Sequence, residues 1–187
     1  MADNDMIMLK GVRCSFAHLF TLPVINGEQQ DKYSITLLLD PKGDADGIDA
    51  LEALVETLSK ERFKGRKLPS DKICLRDGDD TGRPENEGYK VIKASCKNNP
   101  LVLRGDGKTV ITEEVDSPIY SGCYVNAKVR LWAQDNQHGK RINCELIAVQ
   151  FAAEGEPLDG TYVSAETAME GFDAANDDDD FLGGEAA

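Results

Sequence analysis

The sequence predicts a mainly β body, a small barrel or sandwich, with one amphipathic helix and an acidic C-terminal tail. Three observations carry that expectation. Short β-rich stretches recur five or more times between residues 6 and 151. A single window changes to helical period. Beyond residue 152, small and acidic residues take over and no base remains.

Residues 6–16 carry mixed alternation, and Lys32–Leu39 (KYSITLLL) is β-rich up to Asp40-Pro41. From Asp46 to about Phe63, Ile48, Leu51, Leu54, Val55 and Leu58 recur at three- and four-residue spacing, an amphipathic helix with Asp44 or Asp46 as N-cap and Gly65 and Pro69 as stop signals. Residues 77–88 (DGDDTGRPENEG) read as a polar loop. Strands follow at 89–97, at 101–103 with 109–111 across the turn Gly105-Asp106-Gly107, at 122–133 and at 141–151. The last two are joined by a hairpin loop at 135–139. The predicted domains are a folded body, 1–152, and a disordered acidic tail, 153–187, which has too little apolar surface to offset its ordering entropy.

The chain has 187 residues, enough for one core-bearing domain and a tail. Hydrophobic residues at 41% and charged ones at 29% give an ordinary globular composition. No apolar run approaches the ~20 residues of a membrane span, and the acidic N-terminus lacks the pattern of a secretory signal. A soluble protein that stays inside its cell is expected, with no membrane partner. Five scattered cysteines without a C-x-x-C pair predict reduced thiols, and two distant histidines predict no zinc site. The formal net charge of −13 argues at first against a nucleic-acid partner. Its placement reverses that reading. Residues 1–141 hold 22 acids and 21 bases, whereas 142–187 hold 12 acids and no base. The body is nearly neutral and the tail is a concentrated anion.

The stretch 123–132 is the most informative. Side chains alternate faces along a strand, so Cys123, Val125, Ala127, Val129 and Leu131 form an apolar core face. The opposite face carries Tyr124, Asn126, Lys128, Arg130 and Trp132. Rings that stack bases beside cations that track phosphates suit single-stranded nucleic acid; the alternative is an ordinary solvated face. In 89–97 the face Tyr89, Val91, Lys93, Ser95 and Lys97 repeats the theme, with Ile92, Ala94 and Cys96 inward. The candidate stacking residues are Tyr89, Tyr124 and Trp132. The candidate phosphate contacts are Lys93, Lys97, Lys128 and Arg130, with Arg13, Lys32 and Arg141 at the rim. The cluster Lys60, Arg62, Lys64, Arg66, Lys67, Lys72 and Arg76 reads either as favourable charge at a helix C-terminus or as an extension of the phosphate track. Asp77, Asp79, Thr81 and Gly82 match half of a calcium loop, but Gly88 stands where a bidentate Glu is needed. A Mg²⁺-dependent nuclease on Asp77–Asp80 is a minor rival. No catalytic motif, metal site or cofactor site is recognised, and the reading is non-enzymatic.

The tail ends in Asp177, Asp178, Asp179, Asp180 and Phe181. An acidic run into an aromatic suits docking on a basic, pocketed partner, and the same polyanion can compete with DNA for the body's own cations. With that tail, the stretches Pro118-Ile119-Tyr120-Ser121-Gly122-Cys123-Tyr124-Val125-Asn126-Ala127, Arg13-Cys14-Ser15-Phe16-Ala17-His18-Leu19-Phe20 and Gly155-Glu156-Pro157-Leu158 resemble the single-stranded DNA-binding proteins of tailed bacteriophages, over roughly residues 5–160. The resemblance implies an OB-fold-like small Greek-key barrel and sequence-independent binding of single-stranded DNA. It also implies a role in phage DNA replication, recombination and repair in the cytoplasm of the infected bacterial host. The tail would then contact phage replication proteins such as DNA polymerase, and a homo-oligomer is left open. The sequence departs from the family pattern twice. Six residues follow Phe181, and the helix comes after the second strand run, whereas an OB-fold places it after the third. Either residues 6–20 supply two strands or the barrel is elaborated. The alternative class is an acidic interaction protein, such as a DNA mimic that inhibits a host nucleic-acid enzyme; such a mimic would spread its acids over the folded surface.

Overall fold

The computed structural model describes residues 6–158 and 168–172. Its strands are β1 (Met6–His18), β2 (Val24–Ile25), β3 (Glu28–Gln29) and β4 (Tyr33–Leu39), then helix α1 (Ala45–Phe63), β5 (Leu75–Asp77), β6 (Lys90–Cys96), β7 (Leu101–Leu103), β8 (Tyr124–Asn136) and β9 (Gly139–Ala153). Five of them close a barrel. β6 pairs with β4, β4 with β1, β1 with β8 and β8 with β9, all antiparallel, and a parallel bridge from Ser95 to Glu145 joins β9 back to β6. This is the Greek-key barrel that the resemblance implies. β5 and β7 extend its edges.

Residues 6–20 supply one long strand, not two, and the barrel is elaborated elsewhere. β1 bends twice. The first bend follows a register shift between Leu9 and Val12, where Gly11 (φ +62°) donates its N–H to Asn126 Oδ1 at 2.8 Å. The second lies between Ser15 and His18. After it, Asn26 and Gly27, both at positive φ, turn the β2–β3 arm, the Asn-Gly geometry of a tight hairpin. The sequence analysis assigned no element to that arm.

α1 follows the second barrel strand, as its periodicity predicts. Leu51 and Leu58 are buried, and Gly47 lets the helix approach Leu9 and Leu39 of the barrel, where a Cβ would stand 3.2 Å from a Leu9 methyl. Asp44 occupies the N-cap, but its carboxylate makes no capping bond; it accepts from the N–H of Asp40 at 2.8 Å and ties the preceding turn instead. Lys64 takes a left-handed conformation (φ +54°), and the N–H of Gly65 returns to the Ser59 carbonyl at 3.1 Å, closing the helix as the sequence signals indicate.

The core face read from 123–131 is fully buried at all five positions, alongside Ile35, Leu37, Ile92, Ala94 and Val149. The β8–β9 hairpin is tighter than expected: the loop is Gln137-His138 alone, in place of the five residues 135–139. Packing also continues beyond the composition break at 153. Tyr120 Oη donates to the Gly155 carbonyl at 2.8 Å, and the Leu158 N–H reaches Ser121 O at 3.0 Å. Gly122 (φ +111°) is required there, because a Cβ would lie 2.2 Å from Glu156 O. The predicted tail residues Asp177, Asp178, Asp179, Asp180 and Phe181 lie outside the described residues. Among the described residues no helix is long and apolar enough to cross a membrane.

Candidate nucleic-acid interface

The outer faces of β6, β8 and β9 meet the segment 71–76 in a groove of about 680 Å³. It crosses the β6–β9 seam that closes the barrel. Seven cations line it: Lys32, Lys72, Arg76, Lys93, Lys97, Arg130 and Arg141, against Asp71 and Glu145. Trp132 supplies the aromatic wall and remains 40% exposed, large for an indole beside so much core. The alternation of β8 explains its position: with Leu131 inward, Trp132 faces out.

Six of the ten predicted DNA-contacting residues therefore come together: Lys32, Lys93, Lys97, Arg130, Trp132 and Arg141. The other four line neither this groove nor the second one described below. Tyr124 and Lys128 are exposed on the first half of β8, where its neighbours are β1 and the end of β9. Tyr89 precedes β6 and its carbonyl accepts from Gly78 N–H at 2.8 Å. Arg13 acts as a clasp, donating to Gly122 O at 3.2 Å and Glu156 O at 2.5 Å.

Charge in the groove is only partly free. Arg130 Nε donates to Glu145 Oε2 at 2.9 Å, and its Nη2 shares the same oxygen. Lys72 lies 3.5 Å from Asp71. Arg76 Nε is buried without a hydrogen-bond partner. Three cysteines form part of the lining, and burial keeps each thiol neutral: Cys74 is pushed up to about 12, and Cys96 to about 11 with help from the Glu145 charge. Burial likewise drives Cys144 well above the ordinary thiol value. The lining thus sets cations beside an indole, Ile73 and neutral thiols, a surface suited to bases and phosphates together.

A second groove of about 520 Å³ shares Cys74, Arg76 and Lys93 with the first, so the two are continuous. The β2–β3 arm forms one wall, and Phe16 and Arg83 face each other across it with the guanidinium carbon 4.7 Å from the ring centroid. Phe16, Lys72, Arg76 and Arg83 are residues that the alternation argument left unassigned to a strand face. For Phe16 and Arg83 the only sequence cue was an aromatic and a base in stretches read for other features.

The basic cluster after α1 divides. Lys72 and Arg76 reach the groove, whereas Lys60, Arg66 and Lys67 line a separate hollow beside the helix, with Lys60 paired to Glu56 at 2.6 Å. The acidic loop has structural partners of its own. Asp77 Oδ1 accepts from Asp79 N–H at 3.3 Å, Asp79 Oδ1 accepts from Gly88 N–H at 2.9 Å, and Lys90 lies 3.6 Å from Asp77. Among the described residues no three potential metal ligands gather.

The fold has counterparts among known proteins. The chain is 32% identical over 176 residues to putative protein p50 of Acyrthosiphon pisum secondary endosymbiont phage 1, covering 89% of this chain and 92% of that protein. The structure of the single-stranded DNA-binding protein of bacteriophage Enc34, solved in complex with single-stranded DNA, superposes with a TM-score of 0.74 at 30% identity, covering 83% of this chain and 90% of that one. The bacteriophage T7 single-stranded DNA-binding protein gp2.5 shares the fold at 14% identity, with a TM-score of 0.51 over 85% of this chain and 97% of that one. Residues 5–182 match the family model described by the single-stranded DNA-binding protein of Enterobacter phage Enc34, and the chain belongs to that phage family.

Proposed function

We propose that the chain is a non-enzymatic, sequence-independent single-stranded DNA-binding protein, and that the strand runs along the Trp132 groove. The observation that carries this is the gathering of seven cations and one exposed indole across the β6–β9 seam. Trp132 stacks a base, and Lys32, Lys93, Lys97 and Arg141 contact phosphates together with Lys72 and Arg76. Arg130 joins them when DNA competes with Glu145. Tyr124 and Lys128 engage only a strand that wraps beyond the groove, while Tyr89 and Arg13 have no DNA contact. A DNA mimic would present acids on its folded surface, and this groove presents the opposite charge.

In the same reading the protein acts in phage DNA replication, recombination and repair in the cytoplasm of the infected host. Its tail, through Asp177–Asp180 and Phe181, docks on phage replication proteins such as DNA polymerase and competes with DNA for the groove cations. Support comes from family membership and from the separation of a base-free terminus from a cation-lined body. Deleting residues 174–187 is expected to tighten oligo-dT binding at low salt; equal affinity across a salt titration rules the competition out.

The test of the groove is Trp132→Ala in a titration with labelled oligo-dT. Loss of one stacked base costs ~1–3 kcal/mol, about 5- to 150-fold in affinity, while Tyr124→Ala stays within about twofold. Unchanged binding by Trp132→Ala removes the groove as the DNA path.

A further inference from the structure

We propose that Phe16 is a second base-stacking platform and that Arg83 covers its ring until a base enters. The proposal rests on the reading of the Trp132 groove as the DNA path and extends that path past Arg76 and Lys93 into the second groove.

The backbone supplies the first argument. Phe16 sits at φ +48°, within the register shift between Ser15 and His18. A left-handed conformation is strained for an L-residue, and a bulky side chain there is an outlier. Bulges re-aim side chains beside binding sites, and strain of this kind collects where function uses it. Burial does not offset it here, since the ring is 43% exposed. The chain thus holds a strained aromatic in water with no return to its core.

Charge supplies the second argument. Arg76, Arg83 and Lys93 line this groove, with no carboxylate among the lining residues. That excludes a cationic occupant and favours an anionic chain with flat groups, which a single strand is. The Arg83 guanidinium, 4.7 Å from the ring centroid, gains only a weak attraction from the ring at an exposed site. A stacked base gains more. The base therefore wins the ring face, and the displaced guanidinium, held only loosely by Glu85 at 3.8 Å, turns to the next phosphate. Because the two grooves share Arg76 and Lys93, a strand stacked on Trp132 continues onto Phe16 without leaving the cationic track.

The experiment compares the full chain with Phe16→Gly and Phe16→Leu, titrated with oligo-dT of increasing length by fluorescence anisotropy, with melting followed in parallel. Glycine accepts the positive φ, so Phe16→Gly is expected to melt at or above the wild-type temperature. Oligonucleotides short enough to occupy one groove are expected to bind all three proteins alike. Longer ones are expected to lose about fivefold or more in both variants, and the length at which affinity levels off is expected to shorten. An unaltered length dependence in both variants overturns the assignment. So does a Phe16→Gly protein that melts lower and binds normally, because Phe16 is then a structural residue. Failure of the underlying reading has a different signature: a wild-type protein that binds no oligonucleotide of any length, or Trp132→Ala binding as wild type.

Discussion

Glu145 is the one carboxylate bonded to a cation that lines both the groove and the barrel seam, and replacing it by glutamine should strengthen DNA binding. The carboxylate holds Arg130 through two nitrogens, with both side chains partly exposed, at 25% and 35%. Of the seven groove cations, Arg130 and Lys72 are engaged by acids, and the other five form no ion pair among the described residues. Each phosphate contact on a single strand contributes about −0.7 to the slope of log K against log salt. The six contacts of Lys32, Lys72, Arg76, Lys93, Lys97 and Arg141 give roughly −4.2, and releasing Arg130 in Glu145→Gln adds about −0.7. The same substitution removes an anion near the phosphate path, worth about 0.6 kcal/mol for unit charges ~7 Å apart in water, or nearly threefold in Kd. The stability cost is at most about 1 kcal/mol for a pair this exposed, and the glutamine oxygen still accepts from Arg130. Anisotropy titrations of labelled oligo-dT between low and moderate salt give both numbers. Weaker binding, or an unchanged slope, would refute the claim that Glu145 restrains a phosphate ligand.

Two further expectations concern the scaffold. Gly122→Ala places a methyl 2.2 Å from Glu156 O at φ +111°, so the melting temperature should fall by at least ~5 °C, at about 2–4 °C per kcal/mol for a domain of this size, and residues 153–158 should become cleavable by protease; an unchanged melt would show that the clasp yields freely. The Asp106 carboxyl is held down at about 2 by the Thr109 hydroxyl and by the N–H groups of Thr109 and Lys108. Its folded value lies below the unfolded one, so its contribution is present above about pH 4 and lost as pH falls toward 2; protection of the Thr109 amide, measured against its intrinsic exchange rate at each pH, should fall over that window in the wild type and be low throughout in Asp106→Ala, and a flat wild-type protection profile would contradict it.

Much of this was legible in the sequence because alternation reports directly on a strand's two faces. The four buried positions of β8, with Cys123 just before them, and the outward Arg130 and Trp132 follow from period two alone. Closure of the barrel was not legible from period, and closure decides which outward residues share a surface. Tyr124 and Lys128 have the parity of Trp132 but lie along a strand 13 residues long, beside other neighbours. Phe16 was hidden for another reason. The irregular register between Ser15 and His18 breaks the counting on which a face assignment depends. Arg83 sits in a loop whose polar composition reads as solvent-facing, and only the fold brings it over the ring.

The parallel bridge from Ser95 to Glu145 is where the barrel closes, and the groove lies across it. That closure is a single residue pair, whereas the other junctions of the barrel are ladders of several pairs. The seam is therefore expected to form late in folding and to open early in native-state exchange. A bound strand would touch Lys93 and Lys97 on one side and Trp132 and Arg141 on the other. Nucleic acid so placed acts as an external staple, raising stability by RT ln(1 + [L]/Kd). The protein is then most resistant to unfolding when it is coating DNA, and turnover of the free chain is set by how often one seam comes apart.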